Sequence, residues 1–219
     1  MTVRNRGALA ALAAGVAALT VAALLACAAQ PAGTVGAAQA SALASAPPTA
    51  TASGDPSVPV TAGELPSSAE TIPPVRLLIP AIDVTATVDA VGINERTNEF
   101  EVPPSVDEVG WYRYGPGLEA DAGSVVVAGH VDSAEQGRGA FFRLRELDQG
   151  DTVTVTGSDG AARRYRVVAR EEYAKTKIPL DRYFARDGKP RLTLITCGGP
   201  FDAKARKYRD NIVVTAVPA

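Results

Sequence analysis

Hydrophobic and polar positions divide the chain into three regimes. The first is an uncharged run from Gly7 to Ala29, rich in Ala, Leu and Val and preceded by Arg4 and Arg6. At about 1.5 Å per residue this run can cross about 30 Å of hydrocarbon, and its positive flank predicts a cytoplasmic N-terminus with the remainder exported. Its length favours an uncleaved signal anchor, while the small residues Ala26, Ala28 and Ala29 also suit a cleaved signal peptide. Leu24-Leu25-Ala26-Cys27 resembles a bacterial lipobox; within a membrane span, Cys27 is instead a small apolar residue. The second regime, Gln30 to about Thr71, consists of Ala, Pro, Ser, Thr and Gly with almost no large apolar side chain. Such a segment buries too little surface to offset the cost of ordering, which predicts a disordered spacer.

The third regime begins after Ile72-Pro73-Pro74 and carries short alternating runs. Val75 to Pro80 is strand-like, and Asp83 to Val91 alternates as a strand does, followed by the turn-prone Gly92 and Asn94 and an extended piece near Glu99 to Val102. Ser124 to Val127, Thr152 to Thr156, Arg163 to Ala169, Arg191 to Thr196 and Ile212 to Val217 predict further strands between Gly, Asp and Pro turns. Only Ala140 to Leu147 and a turn around Leu180 to Phe184 read as helical. Many short strands with few helices predict a mainly β fold, a closed or nearly closed, mainly antiparallel barrel, because closure removes exposed sheet edges. The chain thus divides into an N-terminal segment 1–29, a spacer 30–74 and a folded domain 75–219, the last long enough for one sizeable core.

Composition narrows the chemistry. The 22 Lys and Arg residues against 24 Asp and Glu give a net charge of −2, without the basic stripe that a nucleic-acid partner requires. Of the two cysteines, Cys27 lies in the apolar run and Cys197 near the C-terminus, so the folded domain has no pair for an internal disulfide. A zinc site built on His130 and Cys197, the domain's imidazole and thiol, would also need carboxylates; no structural metal and no cofactor are expected.

His130 follows Ser124 to Gly129 and so sits at a strand end, and Cys197 ends Leu192 to Thr196. Read singly, each has a bland alternative, a structural histidine and an inert buried thiol. Together they are the minimum for Cys–His nucleophilic catalysis. Gly198 and Gly199 leave room for a substrate backbone and let an amide face a developing oxyanion. Arg209, just before the last strand, offers a fixed cation with a fork of donors; by spacing alone it reads as a solvated arginine.

Val125-Val126-Val127-Ala128-Gly129-His130, Leu192-Thr193-Leu194-Ile195-Thr196-Cys197 and Tyr208-Arg209-Asp210-Asn211 resemble the His, TLxTC and Arg segments of sortases, the cell-wall cysteine transpeptidases of mainly Gram-positive bacteria. With Ile79 to Ile82, Val109 to Tyr112, Gly115-Pro116, His130 to Ser133, Phe142 to Leu147, Cys197 to Gly199 and Phe201-Asp202, the pattern is most similar to the actinobacterial class F group. The resemblance spans residues 75–219 and implies an eight-stranded barrel with the active site in a groove near the His and Cys strand ends. It further implies that Cys197 is the nucleophile, His130 the general acid and base, and Arg209 the group that stabilises the oxyanion or holds the substrate. By that resemblance the substrate is an LPxTG-like sorting signal of a surface protein. The acyl group passes through a thioacyl intermediate to a cell-wall or pilin amine, outside a membrane reached through the N-terminal segment.

Some features depart from the family pattern. Ala128 stands where several sortase classes carry Thr or Ser, so no hydroxyl is expected there, and the acidic loop residues of calcium-dependent sortases have no match. Asp132 and Asp210 are candidate orienting groups or plain loop carboxylates. Trp111 and Tyr112 line the groove or anchor the barrel, and Thr196 bonds near the site or is an ordinary strand threonine. Two other activities share the Cys–His chemistry, hydrolytic peptidase and L,D-transpeptidase-like envelope enzyme. A noncatalytic envelope-binding barrel with a buried Cys197 is the alternative from another class.

Overall fold

The computed structural model describes residues 33–45, 71–96 and 99–219. The expected anchor, cleavage site and lipobox of residues 1–29 lie outside the described residues, as does most of the spacer. Among the described residues, no helix is long and apolar enough to cross a membrane.

Alternation builds the barrel. In β1 (Pro74–Ile79), Leu77 and Ile79 are fully buried while Val75 and Leu78 face outward, and in β2 (Val84–Val91) Val84, Ala86 and Val88 point to the same interior. Two short ribbon strands, β3 (Ile93–Asn94) and β4 (Glu99–Phe100), leave the wall before β5 (Val109–Tyr112) and β6 (Ser124–Gly129) return to it. A second small ribbon, β7 (Asp132–Ser133) with β8 (Gly137–Arg138), follows, and then come β9 (Thr152–Gly157), β10 (Ala162–Ala174), β11 (Arg191–Asp202) and β12 (Lys207–Pro218). The closed order is β1-β2-β5-β6-β11-β12-β10-β9, with parallel pairing only at β2–β5 and β6–β11. The expected mainly β closed barrel of eight strands is therefore what forms, filled by residues such as Leu77, Val109, Val127, Val155, Leu194 and Val214.

Three local expectations differ. Ala140 to Leu147 is not an α-helix but a series of turns with a 3₁₀ segment at Leu144–Glu146. Phe141, Leu144 and Leu147 are all fully buried, and their spacing of three matches the three residues per turn of a 3₁₀ helix. Strand β5 was not among the expected strands because Gly110 interrupts its pattern; a Cβ there would lie 2.7 Å from Val91 Cγ2 on the parallel neighbour β2. Finally, β11 and β12 run well beyond Thr196 and Ile212. The register shift between Gly198 and Phe201 absorbs the Gly-Gly-Pro sequence, after which Phe201 pairs with Tyr208, their rings 5.2 Å apart.

Part of the spacer is ordered. Val35 exchanges two backbone hydrogen bonds with Arg170, of 2.8 and 2.9 Å, and α1 (Ala37–Ser45) follows with Ala40 buried. Pairing of β10 with β9 ends at Arg166, so this strap covers the edge of β10 that β9 leaves open. It is held further by Lys189 donating to the Leu43 carbonyl at 3.0 Å and Arg182 donating to Ser41 Oγ at 3.0 Å. The expectation of disorder over 30–74 thus fails for residues 34–45. Small side chains bury little surface but allow close docking by backbone hydrogen bonds, and Gly36, at φ +72°, sits where a Cβ would meet Val168 O at 2.1 Å. Gly36→Ala is expected to release the strap at a cost of about 1–3 kcal/mol. Hydrogen exchange should then accelerate at the amides of Arg170 and Lys189 while that of Leu194 in the barrel wall stays slow.

The connection from β10 to β11 folds over the outer face of the wall and contains α2 (Leu180–Tyr183), the turn expected around Leu180 to Phe184. Buried Glu171 accepts hydrogen bonds from Tyr173 at 2.7 Å, from Tyr183 at 2.8 Å and from Arg182, whose fork also reaches both tyrosine hydroxyls. Arg191 closes the same connection from below, donating to the carbonyls of Lys189 at 2.9 Å and Arg182 at 2.9 Å. Burial pushes the phenols of Tyr165, Tyr173 and Tyr183 up, Tyr183 farthest, and the hydrogen bond to Asp132 does the same for Tyr208. The unfolded chain therefore releases these protons first as pH rises. The stability they contribute is complete below about pH 10 and is lost progressively above it, so the urea midpoint should fall as the pH rises past about 10.

Candidate active site

Register brings the expected residues to one end of three adjacent strands. On β11, Leu192 and Leu194 face the core, so alternation turns Ile195 and Cys197 outward; on β6, Val125 and Val127 face the core, and Ala128 and His130 lie outward. Ile195 pairs with Ala128 in parallel, which sets His130, one residue past the end of β6, beside the level of Cys197. Cys197 pairs with Asn211, and Arg209 lies two residues farther along the same outer face of β12. The structure therefore assembles His130, Cys197 and Arg209 on one face, with Cys197 half-buried.

Thr196 fastens this arrangement. Its buried hydroxyl donates to the Gly129 carbonyl at 2.8 Å, tying the residue before the thiol to the residue before the imidazole. Gly129 itself admits no side chain, since a Cβ would come within 2.8 Å of Phe141 Cδ2 and 2.9 Å of Val109 Cγ1. The His130 carbonyl accepts from Phe141 at 3.1 Å, and Gly139 lies so close that a Cβ would be 2.4 Å from the same oxygen. The backbone of His130 is thus set by the close approach of Gly139 and Phe141.

Each polar group has a definite partner. His130 Nε2 donates to the Pro103 carbonyl at 3.0 Å; a carbonyl only accepts, so Nε2 carries a proton and Nδ1 is the acceptor nitrogen of the neutral ring. Arg209 is largely exposed and donates to Asp202 at 3.3 Å, whose carboxyl is held below the usual range by the amides of Ala205 and Lys204 and then by Arg209. Asp132 does not orient the imidazole but accepts from Tyr208 at 2.5 Å. Trp111 is buried and donates to the Pro116 carbonyl at 3.2 Å, which makes it a barrel anchor, whereas Tyr112 is half-buried against Phe100 and Phe184.

The two glycines after the thiol differ from expectation. A Cβ at Gly198 would lie 2.6 Å from Ile212 Cγ1 and one at Gly199 only 1.9 Å from Asp210 Oδ2, with Gly199 at φ +68°. The space they leave is filled by the protein's own side chains, so these glycines serve the bulge.

Sequence reading missed Lys175. One residue past β10, its Nζ donates to Cys197 Sγ at 3.3 Å. Nothing in a charged stretch 22 residues upstream marks that contact; only the β10–β12–β11 pairing creates it.

The family model described as a sortase domain matches residues 77–219. Among solved structures, sortase C-1 from Actinomyces oris is 22% identical, over 66% of this chain and 72% of that one, with a TM-score of 0.50. A lid mutant of sortase A from Corynebacterium diphtheriae is 20% identical over 70% and 74% of the two chains, with a TM-score of 0.51. Sortase C1 of Streptococcus agalactiae in complex with MTSET is 17% identical over 67% and 69%, also at 0.51. At such identities the likeness concerns the barrel. A search of the curated proteins found no match.

Proposed function

Because this chain belongs to the sortase family of cysteine transpeptidases, we propose that Cys197 attacks a peptide carbonyl of an LPxTG-like sorting signal and passes the acyl group to a cell-envelope amine. The observation that carries this reading is the register that sets His130, Cys197 and Arg209 on one face at one end of β6, β11 and β12. In the first half-reaction the proton of the Cys197 thiol passes to His130, the sulfur bonds to the carbonyl carbon, the C–N bond breaks, and the His130 imidazolium gives that proton to the departing amine. In the second, neutral His130 takes a proton from the incoming amine, which displaces the sulfur. Arg209 supplies a cation for the oxyanion or for the bound signal, leaving Asp202 as it does so.

The class F reading rests on the motif set from Ile79 to Asp202. The N-terminal residues 1–29 are the membrane anchor or signal in this account, and 75–219 the catalytic domain on the outer face of the membrane. The test is turnover of a panel of LPxTG-type peptides with and without an amine acceptor, separated by chromatography. A peptide–amine product dependent on Cys197 is expected. Release of free acid alone, even with excess amine, would favour the hydrolytic peptidase, and failure to cleave any peptide would count against the reading.

A further inference from the structure

We infer that Lys175 is a fourth catalytic residue, whose ammonium group holds the Cys197 sulfur as a reactive anion and receives it again when the thioacyl group leaves. This rests on Cys197 being the nucleophile, as proposed above. The sulfur's hydrogen bond comes from Lys175 Nζ at 3.3 Å, while the Nε2 of His130 is engaged by the Pro103 carbonyl and Arg209 by Asp202. A hydrogen bond from an ammonium group is far stronger to a thiolate than to a thiol.

The lysine is held in position from several sides. Ala174 pairs with Asp210, the Lys175 amide donates to the Arg209 carbonyl at 3.0 Å, and the turn closes with Lys177 donating to the Ala174 carbonyl at 2.8 Å. Just upstream, Tyr173 is pinned through its hydroxyl to Glu171. The backbone that carries the ammonium is therefore bonded to the strand that carries Arg209, and Lys175 is itself half-buried against the outer face.

The chemistry balances without a further reactant. In acylation the sulfur's electron pair forms the S–C bond, the carbonyl π pair moves to oxygen, and collapse expels the amine, which takes its proton from His130. In resolution the amine attacks and gives a proton to neutral His130, the S–C bond breaks, and the electron pair returns to sulfur beside the ammonium. Lys175 gives up no proton in either half-reaction. Its contribution is the anion at the start and the leaving group at the end.

The experiment compares the full-length wild type with Lys175→Met and Lys175→Arg by alkylation of Cys197 with neutral iodoacetamide and anionic iodoacetate, followed by mass spectrometry. Loss of a hydrogen bond to a charged group predicts that Lys175→Met alkylates about 10- to 100-fold more slowly. Iodoacetate should lose more than iodoacetamide, because the cation also attracts that reagent, and Lys175→Arg should restore most of both rates. A lysine that acts only as a nearby cation would slow iodoacetate on removal but leave the neutral iodoacetamide at the wild-type rate. An unchanged iodoacetamide rate in Lys175→Met overturns the inference, whatever iodoacetate does. Because alkylation needs no substrate, absence of peptide turnover in the wild type would overturn the transpeptidase reading alone, while the alkylation series still decides the role of Lys175.

Discussion

Replacing Cys197 by alanine is expected to lower formation of the peptide–amine product by at least about 10³-fold, leaving only the residual rate that binding and oxyanion stabilisation provide. The thermal unfolding midpoint should stay close to the wild type, because the half-buried side chain carries no large share of the core. His130→Gln is the companion measurement. The chain has a single histidine, so no second imidazole can move the proton, and a loss of about 10²- to 10⁴-fold follows from removing a general acid and base. Thr196→Val should retain the thiol but loosen its alignment with His130, since it removes the hydroxyl that donates to Gly129. A noncatalytic barrel would show none of these dependences.

Glu171→Ala carries the second large effect, on stability. The carboxylate is 2% exposed and accepts from Tyr173, Tyr183 and Arg182. Removing it leaves a partly buried guanidinium and two phenols without their shared acceptor, and Arg182 Nε is already buried without a hydrogen-bond partner. Breaking a buried pair from one side costs about 3–5 kcal/mol, which for a domain of this size lowers Tm by about 10 °C. Replacing both partners, as in Glu171→Leu with Arg182→Leu, should recover much of that loss, since no unpaired charge remains. Calorimetry of the two variants side by side checks the argument. The cluster also anchors α1 through Ser41 and steadies the strand end that carries Lys175, so Glu171→Ala should loosen the strap as well.

What was legible in the sequence follows from which forces act locally. The barrel strands could be read because inward positions such as Leu77, Val125, Val153 and Leu194 recur with period two. His130, Cys197 and Arg209 could be read because they sit in short motifs at strand ends, where register alone brings them together. The helical character around Leu144 could be read, but not its 3₁₀ form, because apolar spacings of three and four overlap over so short a stretch. The strap at Val35 to Ser45 was invisible to a criterion based on large apolar side chains; what orders it is an open strand edge created elsewhere by the end of β9. Lys175 and the Glu171 cluster depend on pairings between distant segments, and nothing near them in the chain encodes those contacts.

The most direct test of the central claim is intact-mass analysis of the protein quenched with acid during incubation with an LPxTG-type peptide, followed by peptide mapping. The account predicts a mass increase equal to the acyl portion of the peptide, localised to Cys197, absent in Cys197→Ala and discharged by added amine. Cleavage of the peptide with no adduct on Cys197, or an adduct that persists in Cys197→Ala, would contradict it.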